Sequence, residues 1–320
     1  MRITVTGATG GIGRLLVATL LERGDELTVL SRTPARVAEL FGNEVQAFAW
    51  DAGAEPAPAD ALIGRDAVIH LAGESVNQRW TPEAKAAILS SRQDGTRRLV
   101  EGIAATHGDE RPVALIAGSA TGYYGDRSSA GELDETATPG AGFLAEVCVA
   151  WETESRRAQA LGLRVVTMRT GTVLDPAHGA LKSLARLTKF GLGGPLGPGR
   201  QPFPWIHVTD ELGLLLHALD SGRADGPINA VAPGIVTQAQ FARALGKVLH
   251  RPAFLPTPAF AARLVLGEQA DLVLSGAWAV PTAARDLGYA FAFPELPTAL
   301  EDLLQRRDDD SPGPLGELLS

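Results

Sequence analysis

The sequence predicts an α/β fold: a doubly wound parallel sheet followed by a smaller C-terminal α/β substrate region. Three observations predict it. Short apolar runs alternate with longer amphipathic ones through the first half, the pattern of parallel strands joined by crossover helices. A glycine-rich turn, Gly7-Ala8-Thr9-Gly10-Gly11-Ile12-Gly13, stands between the first apolar run and the first amphipathic one. Composition is that of a globular chain, since 45% of 320 residues are hydrophobic and 21% charged, which excludes global disorder.

Taken in order, residues 3–6 read as a buried strand and 12–22 as a helix stopped by Gly24. Strand 27–30, helix 34–40 with Pro34 in its first turn, and strands 45–50 and 67–72 follow. A long helix over 82–105, strand 113–117, helix 142–160 and strand 164–168 complete the alternation. Each crossover is expected to be right-handed. After about Gly171 the rhythm breaks: helix 181–190, a turn-rich segment from Gly191 to Gly199, an apolar run at 205–208, and helices 237–249 and 260–266. The division expected is a nucleotide-binding core over 1–170, a C-terminal region over 171–305 that completes part of the sheet, and a flexible tail over 306–320.

Net charge is −8, from 29 Lys and Arg against 37 Asp and Glu, which removes the positive field a nucleic-acid binder needs. No run of about 18 apolar residues is present, and the start lacks a signal-peptide layout, so a cytoplasmic protein with no membrane partner is expected. The single cysteine, Cys148, excludes an internal disulfide framework. Neither histidines nor carboxylates fall at a recognisable ligand spacing, so no metal site is expected.

The glycine turn points to a dinucleotide. Small residues let a diphosphate approach the backbone, and the helix behind them offers free N–H groups and a partial positive charge to it. Gly7, Thr9, Gly10, Gly11, Ile12 and Gly13 are therefore cofactor candidates in a Rossmann-type layout. An acidic residue about 20 positions further on would hold ribose hydroxyls; Ser31-Arg32-Thr33 stands there instead, with Arg36 one turn later. A guanidinium suits a 2′-phosphate and a carboxylate would repel it, so NADP(H) is expected over NAD(H). Asp51, after the third strand, can accept from the adenine amino group. Leu71, Ala72 and Gly73, after the fourth, leave room for the nicotinamide half.

The stretches Thr6–Gly13, His70-Leu71-Ala72-Gly73, Ser119–Asp126, Arg169–Leu174 and Ile206–Asp210 resemble the extended short-chain dehydrogenase/reductases of the sugar-nucleotide epimerase type. Gly191-Leu192-Gly193-Gly194-Pro195, followed by Phe203–His207, is similar to an atypical branch, the "epimerase family" proteins, whose core precedes a small C-terminal domain of unassigned function. The resemblance implies NADP(H), a small polar substrate such as a nucleotide sugar, and a homodimer through helices 82–105 and 142–160. It also implies a Tyr-x-x-x-Lys pair on helix 142–160, where this chain has Leu144 and Cys148; none of its three tyrosines has a lysine four positions on.

Three hydroxyls remain as catalytic candidates. Ser119 takes the family's substrate-polarising place, and Tyr123 or Tyr124 would donate the proton if a cation such as Arg169 lies near. Packing of both tyrosines on the sheet edge is the alternative, as is a buried, inert Cys148. Glu74, the Arg79–Trp80 pair, Arg92, Trp205 and His207 are candidates for substrate contact, with a histidine satisfied by a helix start as the other reading of His207. A non-catalytic NADP(H)-binding regulatory or scaffold protein is the competing function.

Overall fold

A computed structural model describes residues 1–305. Its first part runs β1 (Arg2–Thr6), α1 (Gly11–Glu22), β2 (Glu26–Ser31), α2 (Pro34–Phe41), β3 (Val45–Ala49), β4 (Ala67–His70), α3 (Pro82–Ala105), β5 (Ala114–Ala120), α4 (Phe143–Arg156) and β6 (Arg164–Thr170). These follow the sequence reading to within a few residues. The expected helix 142–160 ends at Arg156 and finishes as a 3₁₀ stretch, Arg157–Leu161.

Next come β7 (Thr172–Leu174), α5 (Gly179–Lys189), β8 (Pro202–Phe203), β9 (Trp205–His207), α6 (Val208–Asp220), β10 (Gly226–Ala230), β11 (Val236–Thr237) and α7 (Gln238–Val248). Helices α8 (Ala259–Leu266), α9 (Asp271–Leu274), α10 (Thr282–Asp286) and α11 (Leu296–Gln305) close the described chain. The sequence reading did not delimit α6, β10, α10 or α11. The expected flexible tail lies outside the described residues.

Seven strands form one sheet in the order β10-β6-β5-β4-β1-β2-β3, every pair parallel. β10 is the strand that sequence reading missed. It is short and carries Pro227, which lacks a ladder donor and is tolerated at a sheet edge.

The two-residue period of a strand decides which side chains meet which helices. Ile69, Ile116 and Val166 face one side, packed with Leu16 and Leu20 of α1 and Leu212 and Leu215 of α6. Their neighbours Val68, Leu115 and Val165 face the other, against Leu99 and Ile103 of α3. Both faces are dry, so these strands read as continuous apolar runs. A third cluster joins Leu174, Leu181 and Trp205 to Phe241 of α7 and Leu296 and Leu300 of α11. Through it α7 and α11 are fixed to β7 and β9, which pair as a separate two-stranded sheet. No helix among the described residues is long and apolar enough to cross a membrane.

Candidate functional site

β1 leads directly into the glycine turn. Gly7 has φ +76°, and a Cβ there would lie 2.7 Å from the Leu71 carbonyl carbon. At Gly13 an added Cβ would meet the Gly7 carbonyl oxygen at 2.2 Å. Both positions therefore require glycine. The N-terminus of α1 has no side-chain cap, and neither does that of α5. Gly7, Gly10, Gly11, Ile12 and Gly13 share a cleft of about 340 Å³ with Leu71, Asp175, His178 and Gly179. Residues from two helix starts without side-chain caps thus line one cavity, an arrangement suited to anions.

Arg32 lies just past β2, exposed, with no hydrogen bond or ion pair among the described residues. The Ser31 hydroxyl accepts from the Thr33 amide at 3.1 Å, and Arg36 pairs with Glu39 at 2.6 Å on the surface. Asp51 is exposed after β3, its carboxylate accepting from the Gly53 amide at 2.9 Å. The Ala72 amide donates to Thr6 Oγ1, and the Arg92 guanidinium lies over Gly73. Arg14, which sequence reading did not single out, donates to the Thr9 carbonyl at 3.0 Å and so braces the turn.

A second, larger cavity of about 710 Å³ adjoins the first, and Ser119, Trp151 and Thr170 line both. Its walls include Trp80, Arg92, Leu144 and Cys148 on one side and Gln201–Pro204 on another. Arg263, Glu268 and residues 271–277 of the C-terminal region roof it. A Lys85–Glu268 ion pair of 2.7 Å and a Gln269–Asn77 hydrogen bond of 3.2 Å span the mouth. Gln201 ties the glycine-rich segment down through Nε2, which donates to the Leu196 and Val273 carbonyls. Its Oε1 is buried without a partner.

Ser119 is nearly buried, and its hydroxyl donates to Glu152 Oε1 at 2.8 Å. That carboxylate also accepts from Arg169, Nε at 2.8 Å and Nη2 at 3.0 Å. The Ser119 proton is therefore committed to Glu152, and its lone pairs are left to accept from a ligand. Arg92, from the middle of α3, donates Nη1 to the Glu74 and Ile88 carbonyls and lies 4.9 Å from the Trp151 ring centroid. Burial lowers the pKa of its guanidinium, and it has no ion pair among the described residues. The Glu74 carboxylate accepts instead from Gln78 at 3.1 Å. Burial pushes the Cys148 thiol up to about 11, with Glu152 adding to the effect, so the inert reading of Cys148 fits.

Several expectations need correction. Tyr123 and Tyr124 line neither cavity. The Tyr124 hydroxyl donates to Asn229 at 2.7 Å and accepts from Arg169 at 3.1 Å, and burial raises its pKa above the usual 10. The Tyr123 ring lies 3.5 Å from the Arg169 guanidinium carbon. Arg169 is 2% exposed, bonded to Glu152, Tyr124 and the Glu135 carbonyl, and lines neither cavity, so it braces the sheet end and does not face a cofactor. Trp205 is fully buried, with Nε1 on the Gly234 carbonyl, and belongs to the core. His207 accepts from the Thr209 amide at 3.0 Å as the N-cap of α6 and stacks on Phe293, which is the helix-start reading. Arg79 is exposed and lines neither cavity. His70 is core, between Thr6 and Thr96.

Residues 3–231 match the NAD dependent epimerase/dehydratase family, and residues 257–303 match a domain of unknown function, DUF1731. The chain is 38% identical over 306 residues to the chloroplastic "Epimerase family protein SDR39U1 homolog" of Arabidopsis thaliana, covering 95% of this chain and 87% of that protein. Among solved structures, human epimerase family protein SDR39U1 (isoform 2) with NADPH superposes with TM-score 0.84 at 34% identity, covering 95% and 99% of the two chains. A nucleoside-diphosphate sugar epimerase from Corynebacterium glutamicum follows at TM-score 0.75 and 30% identity, covering 100% of this chain and 64% of that one. With the glycine turn, the parallel sheet and these similarities together, the chain belongs to the NAD dependent epimerase/dehydratase family.

Proposed function

We propose that this protein is an NADP(H)-dependent oxidoreductase or epimerase-like enzyme acting on a small, polar, anionic substrate, a nucleotide sugar being one such class. One observation carries the reading: Ser119, Trp151 and Thr170 form a wall common to the glycine-turn cleft and the larger cavity. A ligand in each would meet at that wall and nowhere else. The dinucleotide residues fit NADP(H), since the turn admits a diphosphate and Arg32 is free to take a 2′-phosphate. The NADPH-bound human relative supports the same assignment.

When bound, the nicotinamide supplies or accepts hydride. The chain's own residues bind, orient and handle protons. Arg92 is a largely desolvated cation that forms no ion pair among the described residues, Glu74 acting on it only at a distance, which favours a carboxylate or phosphate on the substrate. Ser119 accepts a hydrogen bond from a substrate hydroxyl, and Glu152 orients the serine and balances Arg169. Gln201 Oε1 offers an acceptor on the opposite wall.

The test is NADP⁺ reduction and NADPH oxidation against a panel of carboxylate- and phosphate-bearing alcohols, carbonyl compounds and nucleotide sugars. Turnover of at least one is expected, with Ser119→Ala slowing it at least tenfold while NADPH binding is kept. An unchanged rate in that variant removes Ser119 from the chemistry. The competing reading, an NADP(H)-binding regulatory protein, is favoured by Leu144 and Cys148 at the cavity wall and by the committed Tyr124 hydroxyl. Tight NADPH binding with no turnover across the panel would establish it.

A further inference from the structure

Glu211 is a buried carboxylic acid lining the glycine-turn cleft that the proposed chemistry does not use. It sits in the first turn of α6, 1% exposed, among the residues lining the glycine-turn cleft. Thr170 Oγ1 donates to its Oε1 at 2.9 Å. The other oxygen, Oε2, is buried with no hydrogen-bond partner. A buried carboxyl oxygen left unpaired costs free energy in either protonation state, so the folded protein keeps it at a disadvantage unless something else compensates.

The groups around it supply no cation. Thr170 donates to it from β6; Asp210, its neighbour on α6, is bonded to Tyr289 at 3.0 Å and to the Ala292 and Phe293 amides, and Tyr289 approaches from the C-terminal segment. α1, which also packs on α6, carries Arg14, committed to the Thr9 carbonyl. Across the cleft His178 is paired with Asp175 at 2.9 Å. Among the described residues no Lys or Arg forms an ion pair with Glu211.

The topology says which half of a dinucleotide comes near. β2 and β3 lie on one side of β1, and β4, β5 and β6 on the other. With the 2′-phosphate at Arg32, past β2, the nicotinamide half must extend over β4 to β6, the side on which Thr170 and Glu211 stand. The two redox forms of that half differ by one positive charge, carried by the oxidised ring.

We propose that Glu211 senses the charge of the nicotinamide: it gives up a proton when the oxidised cofactor binds and holds one when the reduced cofactor binds. A cation brought near an unpaired buried carboxyl favours its ionised form, and a neutral ring favours the protonated form. Burial already raises its pKa from 4.5 to about 7, so both states are accessible at neutral pH. The cleft would then discriminate NADP⁺ from NADPH as a function of pH, NADP⁺ gaining as pH rises. This rests on the cofactor assignment above.

The experiment is isothermal titration of the full chain with NADP⁺ and, separately, NADPH at pH 7, in two buffers of different ionisation heat. The 2′-phosphate is common to both ligands, so its own titration cancels in the comparison. NADP⁺ is expected to release, and NADPH to take up, about half a proton each, as a group with pKa near 7 allows. Glu211→Gln should bring the two counts together, and His178→Gln should leave them apart. Equal counts in the unmodified protein overturn the proposal, as does a difference that survives Glu211→Gln. Absence of binding by either form overturns the cofactor assignment instead and takes this proposal with it.

Discussion

Arg32 is the residue we propose sets cofactor choice. It has no competing partner among the described residues, so its charge is available to a phosphate, whereas Arg36 is already paired with Glu39. In a fluorescence titration NADPH should bind at least tenfold more tightly than NADH, about 1.4 kcal/mol. Arg32→Ala should erase most of that difference. Equal affinities in the unaltered protein would remove Arg32 from the site. The glycine turn and the place of Arg32 past β2 were legible because a turn and the strand beside it are read from adjacent positions. Tyr124 and Arg169 were misjudged for the opposite reason: their partners Asn229, Glu135 and Glu152 lie 17 to 105 positions away.

At the scale of elements, the joint between α4 and the ends of β5 and β6 is held by one carboxylate. Glu152 on α4 is fully buried and binds Ser119 from β5 and Arg169 from β6. Replacing it by glutamine keeps the shape but leaves the Arg169 guanidinium buried without a counter-charge. Breaking such a pair costs about 3–5 kcal/mol, whereas Ser119→Ala removes one charge-assisted hydrogen bond, about 1.5–3 kcal/mol. Urea midpoints of the two variants should fall in that order. A Glu152→Gln protein as stable as the parent would show that water or a rearranged side chain replaces the pair. The helix itself was legible in the sequence; that its Glu152 meets two strand ends was not, because periodicity gives the buried face and not what it is buried against.

For the whole molecule, buried groups shape the pH dependence of stability in opposite directions, His70 and His207 one way and Glu211 the other. Burial, with Arg92 nearby, lowers the His70 pKa from 6.5 to about 4, so the unfolded chain takes a proton that the folded one refuses. Stability from this source is present above pH 6.5 and is lost as pH falls toward 4, by up to about 3 kcal/mol. Glu211, raised from 4.5 to about 7, keeps a proton in the folded state that the unfolded chain releases. Its stabilisation is full below pH 4.5 and is lost as pH rises through 7. Between pH 4.5 and 6.5 the two directions oppose each other. Without ligand, Glu211→Gln should therefore stabilise the protein at pH 8, by up to about 3 kcal/mol, and change little at pH 4.5. The same increment at both values in denaturant titrations would refute the Glu211 shift.

The sequence by itself determined the doubly wound sheet and the glycine turn, and it placed Arg32 past β2. Each depends on neighbours along the chain, on residue period and on the conformational freedom of glycine. Only the tertiary structure decided that Ser119 stands on the wall between two cavities, that the C-terminal helices roof the larger one, and that Trp205 and His207 belong to the core. It alone also revealed Glu211, since an acidic residue in the first turn of a helix reads as ordinary until packing strips it of water. Burial and charge pairing are sums over residues far apart in the chain, and no local pattern carries them.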